Sequence, residues 1–245
     1  MKRTKEQKGI TLIALIITIV VLMILAAVAI NSITNEGILS QAGSTANKYN
    51  QAVKDEESYL QDYEDMLTAA NGGYETYTVG TLVTVNGENF YVIEDKTSLG
   101  KVVLLAKGNI NTTALTQTSA NPVAFSTEPY WTGAGDIKEE TFPIPESHIA
   151  AKAAYDYGLK IGGKGRLMTH TEANTLKDKY SDMIYGPTGA KLEYWLGSAN
   201  STDFVWLVDG DYGGLGDVSC LTDGHFVYDS IGVRPVIEIS KSKLP

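Results

Sequence analysis

Three aspartates crowd one glycine-rich stretch, Asp209, Asp211 and Asp217 in DGDYGGLGD. Hard cations such as Ca²⁺ take several carboxylate and carbonyl oxygens at once, so Ca²⁺ is the one cofactor this spacing suggests. The stretch lacks the third ligand that an EF-hand loop places before its glycine, and the plainer reading is a solvated hairpin tip. His148, His170 and His225 are scattered, without the His-x-x-x-His spacing of a helical zinc site. Cys220 is the single cysteine. It can form neither an intramolecular disulfide nor a multi-cysteine metal site, and beside Val218 and Leu221 it reads as a small core residue. No nucleophile, base and orienting group stand in a recognisable order, so the chain is expected not to be an enzyme.

Binding needs less than catalysis does. The last sixty or so positions carry aromatic, amide and acidic residues in turn-rich sequence: Tyr194, Asn200, Asp203, Trp206, Asp211, Tyr212, His225 and Tyr228. Such side chains make adaptable contacts at low entropic cost, and these eight are the candidate ligand-binding set. Strand alternation puts Phe204, Trp206 and Val208 on one face and Val205 and Leu207 on the other, with either face free to be the core. Arg234, in GVRPVIEIS, can fork onto carbonyl or carboxylate partners within a sheet and is expected to be structural.

The elements that must position these residues are short. GTLVTVNGENFYVIE holds Asn86-Gly87 between apolar runs, a hairpin signal, and GKVVLLAKG reads as a third strand. Residues 108–145, with Pro122, Pro129, Pro143 and Pro145, read as a long irregular connection. Ser147 and Gly158 bracket one helix, and Thr169 with Glu172 forms a capping box that opens another. YWLGSA, DFVWLVD, VSCLTDGHFVYDS and GVRPVIEIS then give strands and turns. The order of strands, two helices and a terminal strand set predicts an α+β head over 74–245, mixed and mainly antiparallel.

Ahead of it, Tyr49, Val53, Leu60, Tyr63 and Leu67 recur at helical spacing beside Asp55, Glu56, Glu57, Asp62, Glu64 and Asp65. Gly37 and Gly43 each weaken this helix by about 1 kcal/mol, and Asn71-Gly72-Gly73 ends it. Its apolar face is expected to be core for the head. The chain has 245 residues and a formal net charge of −9, although Lys2, Arg3, Lys5 and Lys8 outnumber Glu6 in the first nine. An acidic body argues against nucleic acid, whose affinity rests on phosphate neutralisation.

From Ile10 to Ile30 no residue is charged. Such a run, at about 1.5 Å per residue, approaches the ~30 Å of a bilayer core. Cations before it predict a cytoplasmic N-terminus with the remainder outside. A cleaved secretory signal would want a shorter apolar core, although Ala27-Val28-Ala29 could serve as its site. An unprocessed anchor is the plainer alternative.

KGITLIALIITIVVLMILAAVAI resembles the N-terminus of type IV pilins and pseudopilins. The resemblance implies a leader of 1–9 removed by a prepilin peptidase after Gly9, N-methylation of Ile10, and an apolar helix that is retained. It departs at the fifth mature position, where the family usually has Glu and this chain has Ala14. That departure favours a minor or tip subunit over a major polymerising one.

Farther on, VTVNGENFYVIE, GRLMTHTEANTL, YWLGSANSTDFVWLVD and GVRPVIEI resemble bacterial domains related to C-type lectins and formylglycine-generating-enzyme modules, over roughly 80–240. The cysteine chemistry of the latter cannot be built from Cys220 alone. Together the resemblances imply a long membrane-spanning or spine helix and stalk over 10–73, followed by a C-type-lectin-like head. They imply a pilin-like surface protein with a non-catalytic adhesion head, single-pass in the cytoplasmic membrane with the head outside, and present at the cell surface or in a pilus after assembly. The implied partners are other pilin-like subunits, the prepilin peptidase, membrane lipid and an extracellular ligand. The alternatives are a structural pseudopilin of a secretion or DNA-uptake machine and an anchored binding protein that never polymerises.

Overall fold

A computed structural model describes residues 18–23, 38–127, 130–139, 141–187, 192–201, 204–211, 213–219 and 231–244. The chain divides into two units, Met1–Gln61 and Asp62–Pro245.

The first unit corrects one part of the expected fold class. No helix among the described residues is long and apolar enough to cross a membrane. The long described helix is α1, Ile38–Ala70, and its carboxylates would be costly in hydrocarbon. Thr18–Met23 is helical, while the rest of the uncharged run, with Gly9, Ile10 and Ala14, lies outside the described residues. The expected burial of the apolar stripe is also corrected. Tyr49 and Leu60 in the first unit are exposed, and so are Tyr63 and Leu67 in the second. The buried residue of the last turns is Asp65, which accepts a hydrogen bond from Tyr74 Oη at 2.9 Å. Gly100 backs directly on Asp65, where a Cβ would meet the Asp65 carbonyl oxygen at 2.6 Å.

The second unit is an α+β body of antiparallel sheets. β1 (Leu82–Val85) and β2 (Glu88–Lys96) form the hairpin at Asn86-Gly87, both with positive φ, as a two-residue turn of the primed type requires. β3 (Lys101–Ala106) is the central strand. β4 (Gly135–Asp136), α2 (Ile149–Ile161), β5 (Lys164–Leu167), α3 (His170–Lys177) and α4 (Ser181–Tyr185) follow. β6 (Glu193–Ala199), β7 (Phe204–Asp209), β8 (Gly214–Ser219) and β9 (Pro235–Ser240) complete the order. One sheet runs β1-β2-β3-β9-β5 and the other β4-β6-β7-β8.

β3 explains why the core is double. Its run KVVLLA is apolar on both faces, and alternation sends Val102, Leu104 and Ala106 into one cluster and Val103 and Leu105 into another. The first cluster gathers Phe90, Tyr157, Trp195 and Ile237 under α2; the second gathers Met168, Ile184, Tyr194 and Val236 under α3 and α4. Each fully buried large side chain contributes about 1.5–3 kcal/mol.

Gly158 was expected to stop the first helix, but α2 continues to Ile161 and ends on Gly162 in the left-handed region. Gly158 serves packing instead. A Cβ there would lie 2.2 Å from Gly165 N, and one on Gly165 would lie 2.0 Å from Ala154 O. Helix and strand therefore touch backbone to backbone.

Candidate functional site

The long connection between β3 and α2 folds back over the start of α2, the end of β5 and the middle of β6. Between them lies a half-open cleft of about 390 Å³. Its apolar wall is Tyr130, Ile137, Phe142, Ile144, Ala151 and Leu167, and its polar groups are Asp136, Lys138, Glu139, Arg166 and Thr169.

Backbone bonds hold the cleft open. Gly135 and Asp136 pair with Ala199 and Ser198, and Ile137 N donates to Gly197 O at 2.9 Å. Gly197 N in turn donates to Met168 O at 2.8 Å, tying β6 to the chain just after β5. A Cβ on Gly197 would press on Leu167 Cβ at 3.1 Å, so glycine permits this approach. Behind the loop wall, Tyr130 stacks on the His148 ring with centroids 3.4 Å apart, and Phe125 meets Trp131 and Trp195 edge to face. The indole of Trp131 donates to Ser201 O at 3.0 Å and that of Trp195 to Val123 O at 2.8 Å. These contacts place the aromatic wall on a packed base.

Most polar groups at the cleft are engaged. His148 Nδ1 lies 2.8 Å from Glu139 Oε2. Arg166 forks onto both oxygens of Glu172 and donates to Leu167 O at 3.0 Å. Burial disfavours both charges of that pair, but their mutual contact prevails: the Arg166 guanidinium is held above its usual range and the Glu172 carboxyl below its own. Glu172 also closes the capping box, accepting from Thr169 N at 2.9 Å while its own N–H donates to Thr169 Oγ1 at 3.2 Å.

Two charges remain. Lys138 is exposed and has no ion pair or hydrogen bond among the described residues. Asp136, also exposed, accepts from Ser198 Oγ at 2.7 Å and has no ion pair among the described residues. Ser198 Oγ itself accepts from His170 N at 2.9 Å. The His170 ring stacks on Trp206 with centroids 4.1 Å apart. Burial, with Lys177 adding to it, pushes the His170 imidazole below its ordinary pKa, against the opposing pull of Asp136.

The residues expected from sequence to bind a ligand scatter. Tyr194 is fully buried in the second core cluster, donating to Ile184 O at 3.1 Å, which leaves no surface for a ligand. The strand places it inward, and its polar tip is consumed by the core. Arg234, also fully buried, donates to Ala106 O, Lys107 O and Ile184 O, reaches Tyr194 Oη at 3.4 Å and stacks over that ring. Burial pulls its pKa below the ordinary guanidinium range. Trp206 is half-buried, and Asn200 is exposed where β6 ends. Asp203, Tyr212, His225 and Tyr228 lie outside the described residues, as does Cys220.

The aspartates of the glycine-rich stretch are also spread out. Asp209 Oδ1 accepts from Asp211 N at 3.0 Å, an Asx-type turn at the tip of β7–β8. Asp217 pairs with Trp206, three steps down the ladder from the Asp209–Gly214 pair, or about 10 Å of strand. Among the described residues no group of three or more His, Cys, Asp and Glu converges.

Sequence reasoning missed the cleft because its wall comes from the stretch read as irregular connection. Aromatic and paired-charge residues in PYWTGAGDIKEETFPIP were the available signal, since structureless segments of that length are commonly binding loops. No protein-family model matches this sequence, and no curated protein matches it.

Proposed function

We propose that this chain is a minor pilin-like surface protein, processed after Gly9 to a methylated Ile10, that displays a non-catalytic, C-type-lectin-like binding head. One observation carries the binding part: a cleft of about 390 Å³ with an apolar wall, at which Glu139 and Arg166 are held in structural pairs with His148 and Glu172. Groups so held can shape and orient a ligand but are not poised to exchange protons with it. Small-molecule and peptide-end sites share this make-up of apolar lining and few polar anchors. The pilin part draws on the sequence of 1–30, where a basic leader ends at a glycine and an uncharged run follows.

Mass spectrometry of the mature protein tests the processing. A chain starting at methylated Ile10 is expected, and one starting at Ile30 or Met1 would overturn it. Phe142 stands exposed at the cleft mouth, so Phe142→Asp leaves the core untouched. Cells displaying this variant are expected to keep the protein at the surface and to lose adhesion. Unchanged adhesion would favour the second reading, a structural pseudopilin whose head is a spacer. The exposed Tyr63 and Leu67, available for subunit packing, speak for that alternative.

A further inference from the structure

We propose that the cleft holds a free apolar α-amino acid, with Lys138 receiving its carboxylate, Asp136 its ammonium, and the aromatic wall its side chain. This inference rests on the binding reading above and names the ligand class.

The ligand follows from what the cleft leaves unsatisfied. Glu139 is engaged by His148, and Arg166 is engaged by Glu172. Asp136 and Lys138 alone among the charged lining groups have no ion pair among the described residues, and they do not pair with each other. They are opposite in sign and two residues apart, just where β4 ends. In extended chain, residues i and i+2 share a face at about 7 Å, which brackets the two ends of a zwitterion. A ligand with only one charge would engage only one of these two solvated groups, whereas a zwitterion engages both. The third requirement is apolar: Tyr130, Phe142, Ile144 and Leu167 offer ring and branched surface. The volume is near the small end of ligand sites, which span about 300–1,000 Å³, and suits a single amino acid better than a long peptide or an oligosaccharide.

The test uses the full-length chain in phosphatidylcholine nanodiscs, with empty nanodiscs as blank and saturation-transfer NMR titrations as readout. The probes are L-phenylalanine, L-phenylalaninamide (no carboxylate), N-acetyl-L-phenylalanine (no ammonium) and L-alanine (no apolar body). L-Phenylalanine is expected to bind best, each blocked analogue about fivefold more weakly, and L-alanine not measurably. Lys138→Gln should weaken L-phenylalanine about fivefold while leaving the amide unchanged. Asp136→Asn, which keeps an oxygen for Ser198, should weaken L-phenylalanine similarly while leaving the N-acetyl probe unchanged. Equal binding of all three phenylalanine probes, or loss of every probe alike in both variants, would overturn the assignment. Binding by none of them would also overturn it. The adhesion comparison with Phe142→Asp would then still decide whether the head binds anything.

Discussion

Arg234 and Lys138 are cations of the same unit at opposite extremes. Arg234 is sealed from solvent with no carboxylate paired to it among the described residues, and its charge is spread over three carbonyls and the Tyr194 ring. Lys138 stands in solvent at the cleft mouth with nothing among the described residues to hold it. Donors around Arg234 and acceptors around it match nearly one for one, so the site is closed and serves the fold. At the cleft the match fails by two charges of opposite sign. A fold can tolerate such a mismatch in water at little cost, and it is there that a ligand has something to add.

The contrast can be broken most forcefully at Arg234. Arg234→Leu strands several buried carbonyls, each worth about 1–3 kcal/mol, and should cost at least about 3 kcal/mol in denaturant unfolding. A smaller loss would mean that water enters the site and that it is not closed. The next largest effect is collective and pH-dependent. Burial raises the pKa of Asp95, Glu172 and Glu238, but Lys241, Arg166 and Lys96 respectively lead the opposing contacts, and all three carboxyls are held below their ordinary values. A depressed folded-state pKa stabilises above the unfolded value, so stability should be flat at neutral pH and fall as pH drops through about 4. Arg166→Gln should shallow that acid limb, measured by thermal unfolding across pH.

Thr169→Ala removes the hydroxyl acceptor of the capping box and should cost about 1 kcal/mol. The smallest expected change sharpens the comparison from the other side. Lys138→Gln should alter stability by less than about 0.5 kcal/mol, since no contact is lost. A larger loss would place Lys138 in the fold's own bonding and remove it from the cleft's chemistry.

The parts of this fold legible in sequence are those whose cause is local. Asn86-Gly87 turns the chain because both residues tolerate positive φ. Thr169 and Glu172 cap α3 through atoms three residues apart. Gly158 misled because its reason is not local: it faces Gly165, and only the folded body brings the two together. Tyr194 misled for a similar reason. An aromatic with a polar tip reads equally well as a ligand contact, and only the packing of α4 and Arg234 against it consumes that tip. The α1 stripe has the period of a buried face, but period alone does not supply something to bury it. The cleft was the least legible, since its wall is loop, where neither period nor propensity speaks and position depends on three distant hydrogen-bonded glycine and strand contacts.

The touching backbones of Gly158 and Gly165 have one more consequence. α2 carries Ala151 and β5 carries Leu167, and both line the cleft. The glycine pair therefore acts as a calliper closed to its stop. Side chains can be exchanged at the mouth to change what is gripped, but the jaws themselves can only be prised apart, never brought nearer. The aperture is thus the most conservative dimension of the molecule, fixed by two hydrogen atoms in place of side chains.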